Sequence, residues 1–159
     1  MSEADTAGRV FLGVADWERP DWQAEFYPEN LPEEWRIAYY ANRFLCVWIG
    51  YAAWSALAPA EAERWLAETP DYFRFVLEAP DGAVGEGGSI PDILRPRLGR
   101  ICPADDPALV WFDADTDLRG LSAVLQARNL AEGNVFLFSR DGNLARIEQV
   151  NSLLQLLGL

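Results

Sequence analysis

Histidine is absent from the 159 residues. Its absence removes the commonest general base at neutral pH, the usual zinc ligand and every serine–histidine triad. Cysteine is scarce, with Cys46 and Cys102 far apart in the chain and forming no metal-type pair. Cys46 sits within an apolar run and reads as a small buried hydrophobe. The acidic start, Met1 to Ala7, carries no export signal, so the expected setting is cytoplasmic and reducing. The apolar runs are far too short to span a bilayer. Positive charge is also in short supply: 13 basic against 25 acidic residues give a net charge of −12. No basic run offers itself to a phosphate backbone or an anionic lipid surface, which leaves neither nucleic acid nor membrane as an expected partner.

What is present is core-forming material. Half of the residues are hydrophobic, enough for one domain of ordinary size. The length is too small for a complete (β/α)8 barrel, which takes about 250 residues. Short β-rich runs alternate with segments of helical spacing, and the organising stretch is Arg9 to Pro80. Strands are expected over Arg9 to Ala15, Phe44 to Tyr51, Asp71 to Glu78, Ala108 to Phe112 and Val135 to Ser139. The first is apolar almost throughout, as in a central parallel strand buried on both faces. Asp16 to Pro32, rich in proline, aromatics and carboxylates, is a long excursion over that strand's C-terminal end.

Helices are expected from Glu33 to Arg43, Pro59 to Ala67 and Leu118 to Leu130, with a last one after Arg140-Asp-Gly-Asn143. Prolines 32 and 59 stand at two entries, and Thr116 or Asp117 suits an N-cap. Residues 1–8 read as a frayed tail. Residues 81–107, with five glycines and four prolines, read as an irregular join with at most a turn of helix near Pro91 to Leu98.

The order and spacing of Gly13-Val-Ala-Asp-Trp17, Asp21-Trp22, Phe26-Tyr-Pro28, Leu31-Pro32 and Trp35 resemble a known family. So do Tyr39-Tyr-Ala41, Phe44, Arg64-Trp65, Glu68-Thr-Pro70, Phe73-Arg-Phe75 and Ala79-Pro80. These residues are similar to the YecE-like family, domain of unknown function seventy-two. More weakly, Val135 to Phe138 and the leucine-rich end resemble its final strand and helix. The resemblance implies a TIM barrel with no established activity, here shortened, the missing units falling between Pro80 and Ala108. It also implies losses. Trp48, Gly50 and Tyr51 stand where the family carries a glutamate, an asparagine and a serine. Glu78 replaces a lysine, Ser139 and Arg140 replace asparagines, and the family's histidine-containing motif is missing.

The expected fold is therefore α/β: a parallel five-stranded partial barrel in the order 3-2-1-5-4, as one domain over 1–159. Ligands of such sheets bind at the strand C-termini, where Asp16, Glu78, Asp113, Asp115, Arg140 and Asp141 collect. Catalytic candidates are Asp16, Glu78, Asp113 and Arg140, and metal candidates are Asp113 and Asp115. The plainer reading makes Asp113, Asp115 and Asp117 helix-capping residues. Trp17, Trp48, Tyr51 and Trp54 are candidates for a ligand or an interface, whereas Trp35 and Trp65, inside helices, are assigned to the core. Gly82 to Gly88 lacks the lysine of a phosphate loop, and no cofactor is implied.

All helices would lie outside the barrel, leaving the inner face open to water. Either residues 81–107 fold across it or a second copy does, and a homodimer with Trp48 at the contact is expected. The functional expectation is a non-catalytic remnant acting through binding or self-association, its small-molecule ligand unspecified. The alternative is a small metal-assisted or acid–base hydrolase or lyase, which requires Asp16, Glu78 and Asp113 to converge in one pocket.

Overall fold

In the computed structural model, which describes residues 9–19, 22, 25–80, 89–128 and 133–159, the apolar runs pair into one parallel sheet. Its strands are β1 (Val10–Ala15), β2 (Cys46–Ile49), β3 (Arg74–Glu78), β4 (Leu98–Cys102), β5 (Leu109–Phe112) and β6 (Val135–Ser139). They lie in the order β4-β3-β2-β1-β6-β5. The five expected strands take their expected order. The sixth, β4, corrects the reading of residues 81–107 as an irregular join. Ser89–Leu94 form helix α4, and β4 then adds to β3 with Leu77 opposite Ile101 and Glu78 opposite Cys102. The run Leu98-Gly-Arg-Ile-Cys102 is a half-exposed edge strand holding a glycine and an arginine, so it lacks the apolar continuity that marks the central strands. The rest of that segment, 81–88, lies outside the described residues, as does the tail expected over 1–8.

The helices follow the sequence signals closely. A 3-10 turn (Glu33–Trp35) leads into α1 (Arg36–Ala41), and α3 (Pro59–Ala67) starts on its proline. Asp117 caps α5 (Leu118–Ala127) by accepting from Gly120 N–H at 3.0 Å. Asn143 does the same for α6 (Leu144–Leu157) through Arg146 N–H. One helix was not expected. Strand β2 stops at Ile49, and Tyr51–Ser55 turn into the short helix α2. No helix among the described residues is long and apolar enough to cross a membrane.

Between β1 and β2 the two chains approach closely around Gly13, which pairs with Cys46. A Cβ there would stand 2.1 Å from the Cys46 carbonyl oxygen, so only glycine fits. Beside it the buried Tyr40 hydroxyl enters the ladder. It accepts from Val14 N–H at 2.8 Å and donates to Cys46 C=O at 2.7 Å. Helix α1 is thereby fastened to both central strands by one atom.

Side chains alternate between two cores, as a pleated sheet requires. Val14, Val47, Phe75 and Leu137 face the helices, while Phe11, Cys46, Trp48, Val76, Phe136 and Phe138 face inward. The inner face is not open to water. The sheet curls into a half-barrel and its aromatic residues fill the concavity: Trp48 meets Trp111 edge to face at 5.4 Å, and Phe11 meets Phe136 at 5.2 Å. The curl is visible in one contact. A methyl group on Gly99 of β4 would come within 3.0 Å of the Phe136 ring of β6, four places away in the sheet. In a flat sheet those strands would stand about 19 Å apart. The connection from β4 to β5 joins opposite edges and is stitched to both. Ala104 C=O accepts from the Trp111 indole at 2.8 Å, and Asp106 pairs with Arg100 at 3.2 Å. Of the two covers expected for the inner face, residues 81–107 or a second copy, the described part of that segment supplies an edge strand and this connection, while the sheet's own aromatic side chains fill the concavity.

Candidate functional site

The strand C-termini gather the expected carboxylates but use them locally. Glu78, at the end of β3, accepts from Tyr51 N–H at 2.9 Å, and its own carbonyl accepts from the Trp54 indole at 3.0 Å. It therefore caps the first turn of α2, with Tyr51 and Trp54 in edge-to-face contact above it. Asp113 accepts from Asp115 N–H at 2.9 Å and from the Thr116 hydroxyl at 3.2 Å. Asp141 accepts from Ala114 N–H, Asn143 N–H and the Ser139 hydroxyl. Burial works against the charged form of Asp141, but those donors more than offset it and hold its carboxyl below the usual range. Arg140 lays its guanidinium over Trp111, 4.9 Å from the ring centroid.

Asp16, Glu78 and Asp113 line no common cavity among those found in the described residues. Nor, among those residues, is any group of three or more cysteine or carboxylate side chains placed to hold a metal ion, Asp113 and Asp115 included. The thiols are equally quiet. Burial pushes Cys46 well above its ordinary range, and burial with the nearby Asp106 charge brings Cys102 to about 11. Trp48, expected at a contact with a second copy, is 8% exposed and packs within its own chain against Trp111 and Phe138.

The residues that do come together form a groove of about 680 Å³ beside the ends of β1 and β2. Asp16 opens it. This residue turns the chain out of β1 with φ of 70°, a left-handed conformation that aspartate tolerates better than most residues. Its side chain accepts from Glu18 N–H, and its own N–H donates to Trp48 C=O. Trp17 and Trp65 meet edge to face at 4.5 Å to form one wall. Trp35 stands on the rim. The helical position that assigned it to the core is corrected, since it is 57% exposed.

Glu33 and Glu34 reach the groove from the turn before α1, Glu61 from α3 and Glu68 from its C-cap. Arg64 spans it, pairing with Glu61 and donating to Glu34 C=O at 2.6 Å. The carboxyl of Glu18 has its pKa raised, by burial first and then by the charges of Glu33 and Asp16. Of these residues, the sequence candidates included Asp16 and Trp17. The available signal for the others was the helical spacing of Glu61, Arg64, Trp65 and Glu68, which puts them on one face of α3 and its C-cap.

Residues 11–88 match a family model described as protein of unknown function DUF72. The UPF0759 protein YunF of Bacillus subtilis (strain 168) is 30% identical over 84 residues, 52% of this chain. That overlap spans 28% of the relative's length. In fold, the crystal structure of a DUF72 family protein from Thermotoga maritima is similar with a TM-score of 0.68 at 11% identity, covering 92% of this chain and 99% of that one. The residues that line the groove, from Asp16 to Glu68, lie within the matched segment.

Proposed function

We propose that this chain, whose residues 11–88 match the DUF72 family model, acts by binding and not by catalysis. The observation that carries this reading is the filled interior of the half-barrel. TIM-barrel sites are built over the C-terminal mouth of the strands, and here Trp48, Trp111 and Phe138 pack across that space. The carboxylates around it hold backbone N–H groups of their own loops, which leaves them poorly placed to exchange protons with a substrate. What remains open is the groove beside β1 and β2, with its aromatic walls and its ring of charge. Two free cysteines suit a reducing cytoplasm, which is the compartment proposed.

The reading is tested by assaying the purified chain against nitrophenyl esters, phosphate esters and glycosides, with and without Mg²⁺ or Ca²⁺. The expected result is no turnover above buffer and no metal-dependent change in melting temperature. Turnover that is lost in Asp16→Asn or Glu78→Gln, each still folded by circular dichroism, would overturn it.

A further inference from the structure

The groove has a size, a surface and a sign of charge, and together these select a class of ligand. We infer that it takes a small organic cation, an ammonium or guanidinium group carried on an aliphatic body. This deepens the binding role proposed above and rests on it.

The aromatic concavity comes first. At about 680 Å³ the groove falls within the range of small-molecule sites. Trp17 and Trp65 give it an apolar wall, and Trp35 leaves more than half of its surface in water at the rim. An exposed indole beside a cavity offers a ligand both apolar area and the negative face of a π-system.

The charge then decides between a neutral and a cationic ligand. Asp16, Glu18, Glu33, Glu34, Glu61 and Glu68 line the groove against Arg64, whose guanidinium is already engaged by the Glu61 carboxylate and the Glu34 backbone carbonyl. An anion would be repelled, and a neutral polyol would leave this field unanswered. Glu18 holds its proton more tightly than an isolated carboxyl, through burial first and then the charges of Glu33 and Asp16, with Arg36 working the other way. A metal ion fits less well. Among the described residues no three carboxylates are close enough to share one, so the charge is spread along the groove. Spread charge beside apolar walls suits a cation with a carbon chain.

Two sources share this chemistry, a free polyamine and a lysine side chain on a peptide. Calorimetric and tryptophan-fluorescence titrations of the full chain would use four probes: spermidine, a capped lysine tripeptide, 1,8-octanediol as the neutral isostere, and MgCl₂ at matched ionic strength. Saturable one-to-one binding of spermidine or the tripeptide, weakening with added salt, is expected, and whichever binds more tightly identifies the source. Trp35→Ala should weaken it about fivefold, and the double variant Glu33→Gln/Glu34→Gln about as much again. All three side chains are exposed, so the variants should keep the wild-type circular dichroism spectrum.

Octanediol binding as tightly as spermidine would overturn the inference. So would Mg²⁺ competing equally, or variants that leave the affinity unchanged, since either result means a diffuse counterion cloud. Absence of binding by both cations would overturn the ligand class alone, because the turnover assays above decide separately whether the chain is a catalyst.

Discussion

Tyr40 carries more of this structure than its single hydroxyl suggests. It relays one hydrogen bond between the two central strands from a position with no access to water. Burial pushes its pKa well above the ordinary tyrosine range, which favours the neutral form that both donates and accepts. Tyr40→Phe would strand the Val14 N–H and the Cys46 C=O without partners in the core. A buried unsatisfied group costs roughly 1–3 kcal/mol, so a loss of about 2 kcal/mol is expected in urea unfolding. A loss below about 0.5 kcal/mol would mean that the strands close the gap directly. The sequence shows Tyr40 only as one of two adjacent tyrosines in a helix. Its place in the ladder depends on the register of β1 against β2 and the seat of α1, which no local pattern encodes.

At the scale of elements, the readable parts were those whose ends are written in local chemistry. Proline starts α3, while Asp117 and Asn143 cap α5 and α6 with side-chain oxygens. Asp117→Ala should cost about 1 kcal/mol, visible as a lower urea midpoint with an unchanged slope. An unaltered midpoint would mean that Thr116 or water takes over the Gly120 N–H. The elements that escaped reading lack such marks. Helix α2 is five residues long and is capped from another strand, by Glu78, so its start is set by a contact 27 residues away. Strand β4 is an edge with little apolar continuity. The groove escaped for a related reason: Trp35 is close in sequence to helical apolar residues, and only tertiary packing shows that its face of the helix is left in water.

For the whole molecule, sheet order was legible because right-handed parallel crossovers leave few alternatives. The closure of the inner face was not. It depends on how far the sheet curls, which is fixed by Phe136 reaching Gly99 and by the stitched β4–β5 connection. That closure removes the reason for expecting a second copy over Trp48. We therefore expect the chain to sediment as a monomer at micromolar concentration. A stable dimer would require an interface elsewhere, such as the short edges β4 and β5, which pair on one side only among the described residues.

Within the sheet, β1 and β6, far apart in the chain, lie side by side. Strand β1 pairs along its length with β6, and Arg9 N–H reaches Asn134 across 125 residues of chain. On a ribosome, β1 can pair with β2 early but must wait for β6 until the chain from Arg9 to Asn134, 125 residues apart, has emerged. The β1–β6 pairing thus forms after every other strand of the sheet has been made, with the loop-closure cost falling on that one contact. Until then β1 has only β2 and α1 beside it, and its other edge stands open to any strand that reaches it first.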